Sequence, residues 1–203
     1  MKLRYLLLGV LVMTQLPLAA QNTMIYRPSY FSITWNMGLP LGETADYIGR
    51  YSLRGIGMEG RGFIDDHWAI GGGFGWNVFY QQISGGSVTP DDTPELTVSG
   101  EQYRYINTVT LSVTGHYYWN RDRNIVPFVG AGLGPWWFNR RLEMGLFYTD
   151  RDVWQFALYP EVGILIPFGY ERNYLHISAR YNYAFESSDI AQSWMGFHVG
   201  FGF

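Results

Sequence analysis

The sequence predicts an all-β fold, an eight-stranded antiparallel transmembrane β-barrel, on three observations. Apolar and polar residues alternate with a period of two along nearly the whole chain after residue 20. The apolar face of the better segments carries no Asp, Glu, Lys or Arg through its middle, and large aromatics gather toward the segment ends, as expected of a lipid-facing band between two interfacial girdles. The links between segments alternate between short and mostly longer, as tight turns on one side of a membrane and loops on the other require.

Residues 1–20 are set aside from the fold. Lys2 and Arg4 flank an apolar run from Leu6 to Leu11 that continues less purely to Ala20, the order of a secretory signal peptide. Residues 21–203 then form one barrel domain. Segment one places Phe31, Ile33 and Trp35 on one face. Segment two, about Leu53 to Ile64, fits the alternation least well. Segment three presents Trp68, Ile70, Phe74, Trp76, Val78 and Tyr80, and segment four opposes Val109, Leu111, Val113 and Tyr117 to Thr108, Thr110, Ser112, Thr114 and His116. Segment five carries Val129, Ala131, Leu133 and Trp137. In segment six Phe156, Leu158, Val162, Ile164 and Ile166 alternate with Gln155, Ala157, Tyr159, Glu161 and Gly163. Segment seven sets Leu175, Ile177, Ala179, Tyr181 and Tyr183 against His176, Ser178, Arg180 and Asn182. Segment eight sets Met195, Phe197, Val199, Phe201 and Phe203 against Gly196, His198, Gly200 and Gly202.

The expected girdles are Trp35, Tyr80, Tyr103, Tyr105, Trp136, Trp137, Trp154, Tyr183 and Trp194 at one end, with Tyr30, Trp68, Tyr117, Trp119, Phe201 and Phe203 at the other. Short links fall at Asp65 and Asp66, Asn120 to Asn124, and Pro167 to Asn173. The longest link spans roughly Gln82 to Glu101. A helical span is excluded in the longest uncharged stretch, His67 to Pro90, by Gly71, Gly72, Gly73, Gly75, Gly85 and Gly86 together with Asn77, Gln81 and Gln82.

Composition removes several classes of function. The chain of 203 residues is 47% hydrophobic and 18% aromatic, with 25 glycines, no cysteine and a formal charge of −3. Beyond residue 20 it has 12 Arg against 17 Asp plus Glu, a net −5, and Lys2 is its single lysine. That balance argues against a nucleic-acid partner. Without cysteine there is no disulfide frame, thiolate nucleophile or Cys-ligated zinc. Without a lysine in the barrel there is no Schiff base or phosphate-loop lysine.

The signal-like leader, the eight alternating segments and a terminal Phe203 preceded by Phe201, Val199 and Phe197 resemble the small outer-membrane β-barrel family of Gram-negative bacteria, which includes porin-like proteins, the OmpA membrane domain and OmpX. The resemblance implies residence in the outer membrane with both termini periplasmic, contact with outer-membrane lipid and lipopolysaccharide, and delivery by the barrel assembly machinery. It also implies that Phe197, Val199, Phe201 and Phe203 form the assembly signal that machinery reads.

Candidate chemistry is sparse. Gly55, Gly57 and Gly60 have the GxGxxG spacing, but they lie within a strand pattern with no helix after them, where a dinucleotide fingerprint requires one. His116, His176 and His198 face the lumen on three different segments, with carboxylates scarce nearby, which favours hydrogen bonding over metal ligation. His176 and Ser178 match the His-x-Ser pair of an eight-stranded lipid A deacylase family, with Glu186 or Asp189 as the acid. Here Ala179 stands where that family has Asn, and Glu186 falls one strand length away, roughly 30 Å at ~3.3 Å per residue, whereas a Ser-His-acid relay needs contact. Leu41, Tyr47, Tyr51, Leu96, Leu142, Met144, Leu146, Phe147 and Tyr148 are expected on external loops, available either to an extracellular partner or to packing among the loops and lipopolysaccharide.

The remaining candidate is a lumenal charge network. Alternation turns Glu59, Arg61, Glu161 and Arg180 inward, and buried charges must pair. A turn near Tyr170 sets Glu161 opposite Arg180, a link near Asp189 sets Arg180 beside His198, and the turn at Asp65 and Asp66 sets Glu59 and Arg61 across from Gly73 and Gly71. The expected function is a non-catalytic structural or surface-interaction scaffold, without cofactor, whose lumen is closed by this network. The alternatives are a lipid-modifying enzyme and a narrow channel or small-ligand carrier, and an eight-stranded interior is too narrow for a general diffusion pore.

Overall fold

The computed structural model describes residues 29–88, 98–119, 124–168, 173–187 and 190–203; the expected leader, Pro90, Leu96, Asp122 and Asp189 lie outside them. The strands are β1 (Ser29–Leu41), β2 (Arg54–Phe63), β3 (Trp68–Val88), β4 (Val98–Tyr118), β5 (Val126–Met144), β6 (Phe147–Phe168), β7 (Asn173–Ser187) and β8 (Ile190–Gly202), with one short helix, α1 (Gly42–Tyr47), after β1. Every strand is antiparallel to its sequence neighbour, and β1 pairs with β8 to close the ring. The closing seam carries the chain's last residue: Phe203 and Phe31 exchange both backbone hydrogen bonds at 2.8 Å. A closed ring leaves no sheet edge, which is what strands in hydrocarbon need.

The period of two sorts the side chains as expected. Val113 (68% exposed), Val162 (58%) and Phe156 (54%) stand on the outer wall with Trp68, Trp76, Leu111 and Leu133, while Ser32, Thr114, Gln155 and Asn182 are buried inside. Apolar side chains outside and polar ones inside make sense only with lipid as the outer solvent. Among the described residues, no helix is long and apolar enough to cross a membrane.

Lumenal glycines make room for rings on the adjacent strand. A Cβ at Gly132 would collide with the Tyr159 ring, one at Gly130 with His116, and one at Gly202 with Tyr30. Within this tapering interior two apolar clusters lie at opposite ends. One gathers Tyr30, Phe63, Ala69, Tyr118, Val126, Phe128 and Leu165 near the barrel's chain-end rim. The other gathers Ile48, Phe79, Ile106, Trp136, Phe138, Tyr159 and Trp194 at the α1 end.

Several expectations are corrected. Trp136, Trp194 and Tyr30 are not girdle residues: each is at most 3% exposed and points inward. Trp136 and Trp137 are consecutive, so a strand can turn only one of them to lipid, and Trp194 and Tyr30 share the parity of their buried neighbours Gln192 and Ser32. The Gln82 to Glu101 segment is mostly ladder, pairing Ile83 with Gln102 and Val88 with Val98. A register shift between Ile83 and Gly86, with Gly85 at φ 72°, lets the hairpin continue. The links after β5 and β7 are two residues each, so the expected short-and-long alternation does not hold. Instead β3 to β6 are themselves long, 19 to 22 residues against 10 to 15 for the others. Gly145, at φ 60°, makes the tight β5–β6 turn possible. Met144 beside it is buried rather than loop-exposed. Arg180 pairs with Gly196, and it is Ser178 that lies opposite His198: the ladder sits two residues from the expected register, and the shift between Ala184 and Ser187 accounts for one of them.

Candidate functional site: the lumenal charge network

Glu59 and Arg61 leave the same face of β2, two residues apart, and Glu161 and Arg180 are direct ladder partners on β6 and β7. Gly73 and Gly71 stand across from Glu59 and Arg61, so the two long side chains have open space in which to cross the barrel. There they meet the second pair. Arg61 Nε lies 2.8 Å from Glu59 Oε1 and its Nη2 lies 3.3 Å from Glu161 Oε2. Arg180 Nη2 lies 2.6 Å from Glu59 Oε2 and its Nε lies 3.1 Å from Glu161 Oε1. Each carboxylate is therefore held by both guanidiniums, in a ring of alternating charge that sums to zero.

Neutral groups complete the site. Arg61 Nη1 donates to the Tyr118 hydroxyl at 2.6 Å and lies over the Phe128 ring at 4.8 Å. Arg180 lies 4.6 Å over Tyr159. His116 Nε2 is 2.8 Å from Glu161 Oε2, and His176 Nε2 is 3.6 Å from Glu161 Oε1. Arg61, Glu161 and Glu59 are each at most 4% exposed. Arg180 is part-buried, and its Nε and Glu161 Oε1 are close enough for an ion pair but complete no hydrogen bond; ion-paired in this way the charges are tolerable, and losing one would leave a partner uncompensated in a low dielectric.

Glu59, His116 and Glu161 bring one ligand atom each within 4.8 Å of one another. The carboxylates of this set are already neutralised by Arg61 and Arg180, whose positive charge opposes a cation, so the residues fit an ion-pair ring better than a metal centre. Carboxylates are thus not scarce around His116 and His176, contrary to the expectation from sequence: Glu161 reaches His176 from the adjacent strand β6, and Glu59 and Glu161 reach His116 from strands that share no ladder with β4.

His176 and Ser178 do touch, Nε2 to Oγ at 3.2 Å. The acid lies on the same nitrogen, however, since Glu161 also faces Nε2, while Nδ1 meets the Tyr30 hydroxyl at 3.0 Å. A relay needs the acid and the nucleophile on opposite ring nitrogens. Glu186 is exposed, ten positions along β7 from His176. His198 stands apart from the charged ring: its Nδ1 lies 2.6 Å from Asn36 Oδ1, which also accepts from Thr34 Oγ1 at 2.8 Å. Asn36 Oδ1 can only accept, so His198 donates through Nδ1. Gly55, Gly57 and Gly60 lie in β2 with strand β3 after them. Phe197, Val199, Phe201 and Phe203 all face outward on or beside the closing strand.

An apolar cluster lies on each side of the charged ring. Toward the chain-end rim lies the Tyr30, Tyr118 and Phe128 cluster; toward α1 lies the Trp136, Phe138 and Trp194 cluster, into which the fully buried Ile48 inserts from the segment after α1. His116 lies in the lumen as expected, and Tyr118 shares its parity. The partnership of Tyr118 with Arg61 does not follow from parity, because β2 shares no ladder with β4.

In shape the chain is similar to Neisserial surface protein A, at 11% identity and a TM-score of 0.54, covering 86% of this chain and 94% of that one. Weaker likenesses include Ail, the attachment invasion locus protein of Yersinia pestis (11% identity, TM-score 0.47, 86% and 96% covered), and the N-terminal β-barrel domain of Pseudomonas aeruginosa OprF (14% identity, TM-score 0.45, 86% and 97% covered). No family model matches the chain, and no curated protein matches it.

Proposed function

We propose that this chain is a non-catalytic outer-membrane scaffold: a membrane-anchored barrel, closed along its axis, that presents its α1 end to the cell exterior for contact with lipopolysaccharide or an extracellular partner. The observation that carries the reading is the packing of the interior. The ring of Glu59, Arg61, Glu161 and Arg180 fills the middle, and an apolar cluster covers it on each side. Both termini then face the periplasm, residues 1–20 act as the cleaved leader, and Phe197 through Phe203 serve as the assembly signal. The fold shared with Neisserial surface protein A agrees with such a setting.

The alternatives separate experimentally. A lipid A deacylase would change the lipid A mass spectrum between cells with and without the gene; the scaffold reading expects identical spectra, and loss of an acyl chain that depends on His176 and Ser178 would refute it. Crosslinking of the intact protein in outer membranes, followed by pull-down, would name the partner.

A further inference from the structure

Between the charged ring and the Trp136 and Trp194 cluster the lumen holds a small polar cavity. Asn36, Trp136, Arg180, Asn182, Gly196 and His198 line it, from β1, β5, β7 and β8. Its space amounts to about one water molecule, close to the least that a polar cavity must offer to hold one. Arg180 is the ring member that lines it: 15% of its side chain is exposed, against 0% for Arg61 and Glu161 and 4% for Glu59.

Polar atoms in these walls lack partners. Trp136 Nε1 and His198 Nε2 are buried with no hydrogen bond to any described residue, on residues that are 0% and 5% exposed. The two differ in kind. An indole N–H can only donate, whereas His198 already donates through Nδ1 to Asn36 Oδ1 at 2.6 Å, which leaves an acceptor lone pair on Nε2 of a neutral ring. Asn182 Nδ2 adds a donor whose bond to Trp194 O is long, at 3.4 Å. A Cβ at Gly196 would stand 2.8 Å from His198 Nε2 and 2.9 Å from Asn182 Nδ2, so an acceptor and a donor converge on the space beside a residue with no side chain. Unpaired buried groups of this kind are what internal waters satisfy.

We propose that this cavity is a water-binding site, in which one ordered water donates to His198 Nε2 and accepts from Asn182 Nδ2, with the Trp136 indole as a further donor. The water carries the hydrogen-bond chain from Thr34 through Asn36 to His198, on β1 and β8, over to β7 and β5. It also fixes His198 as the tautomer with its hydrogen on Nδ1. A charged occupant fits less well: Arg180 is already matched by Glu59 and Glu161, and the space takes nothing larger than water. The inference goes beyond the scaffold reading and does not depend on which end of the barrel is external.

The test uses the full-length chain, nitrogen-15-labelled and refolded as a barrel in neutral-detergent micelles, with water itself as the probe in solution NMR. The His198 ring nitrogens should report a neutral ring protonated on Nδ1, with Nε2 displaced from the free lone-pair shift as a hydrogen-bond acceptor is. The Asn182 side-chain amide should show cross-relaxation with water of the sign that marks a long-lived bound molecule. Gly196→Ala fills the space, and Asn182→Leu removes the donor; each should abolish the displacement of Nε2, and the second guards against the first failing to fold. Gly60→Ala, where a Cβ meets only the edge of Phe31 at 3.8 Å, should leave both signals unchanged. A His198 ring that is protonated twice or carries its hydrogen on Nε2 would overturn the proposal. So would an Asn182 amide without water cross-relaxation, or an Nε2 signal that both folded variants leave in place.

Discussion

Arg180 Nη2 lies 2.6 Å from Glu59 Oε2, across a gap of 121 residues in sequence and between strands that share no ladder. The same guanidinium holds its own ladder partner, Glu161, through Nε. A single side chain therefore ties the β2 wall to the β6–β7 wall through the barrel's centre.

Removing Arg180 should expose that dependence. Arg180→Ala leaves two buried carboxylates sharing Arg61, and the expected cost is about 3 to 5 kcal/mol, less if water reaches the space. The check is a double-mutant cycle with Glu161→Ala, read by denaturant unfolding in micelles. The two losses should be strongly non-additive; purely additive losses would count against the ring.

The lumenal glycines give a second expectation. Gly132→Val drives a side chain into the Tyr159 ring, and overpacking of this kind costs about 1 to 3 kcal/mol. At Gly60 the nearest obstacle to a Cβ is the edge of Phe31, 3.8 Å away, so Gly60→Ala should be close to neutral. Comparable unfolding midpoints for the two variants would show that the glycines are not there to seat rings.

How much of this was legible in the sequence follows from what alternation can say. Strand number, the inward parity of Glu59, Arg61, Glu161 and Arg180, and the Glu161–Arg180 pairing all follow from counting by twos about a turn. The contact between Arg61 and Glu161 does not, because nothing local relates strands on opposite walls. Register at β7–β8 differs from the expectation for another reason: Arg180 lies opposite Gly196, two positions from His198, and a slip of two preserves faces, so the apolar pattern carries no mark of it. Trp136 and Trp194 depart from the expected girdle because an aromatic at a strand end suits a girdle and a plug equally, and only the parity of buried neighbours decides.

The seam makes the chain's last residue testable. Phe203 holds both backbone bonds to Phe31, and the two rings lie 5.4 Å apart. Phe203→Asp places a charge on the lipid face near the rim, where the stability cost is small, so the main expected effect is on assembly. Less heat-modifiable barrel should reach the membrane and more unfolded chain should remain behind it. Unchanged assembly would remove the role assigned to this residue.

Orientation is read by cleavage. A protease site inserted near Pro90 should be cut on whole cells, and one at Asp122 should survive until the outer membrane is breached. The opposite pattern would place α1 on the inner side.

The closed lumen is tested most directly by planar-bilayer conductance of the purified, folded barrel. The sealed arrangement of the Tyr118 and Phe128 cluster, the charged ring and the Trp136 and Trp194 cluster predicts no stable conductance in the wild type. Sustained wild-type conductance of porin size would contradict it.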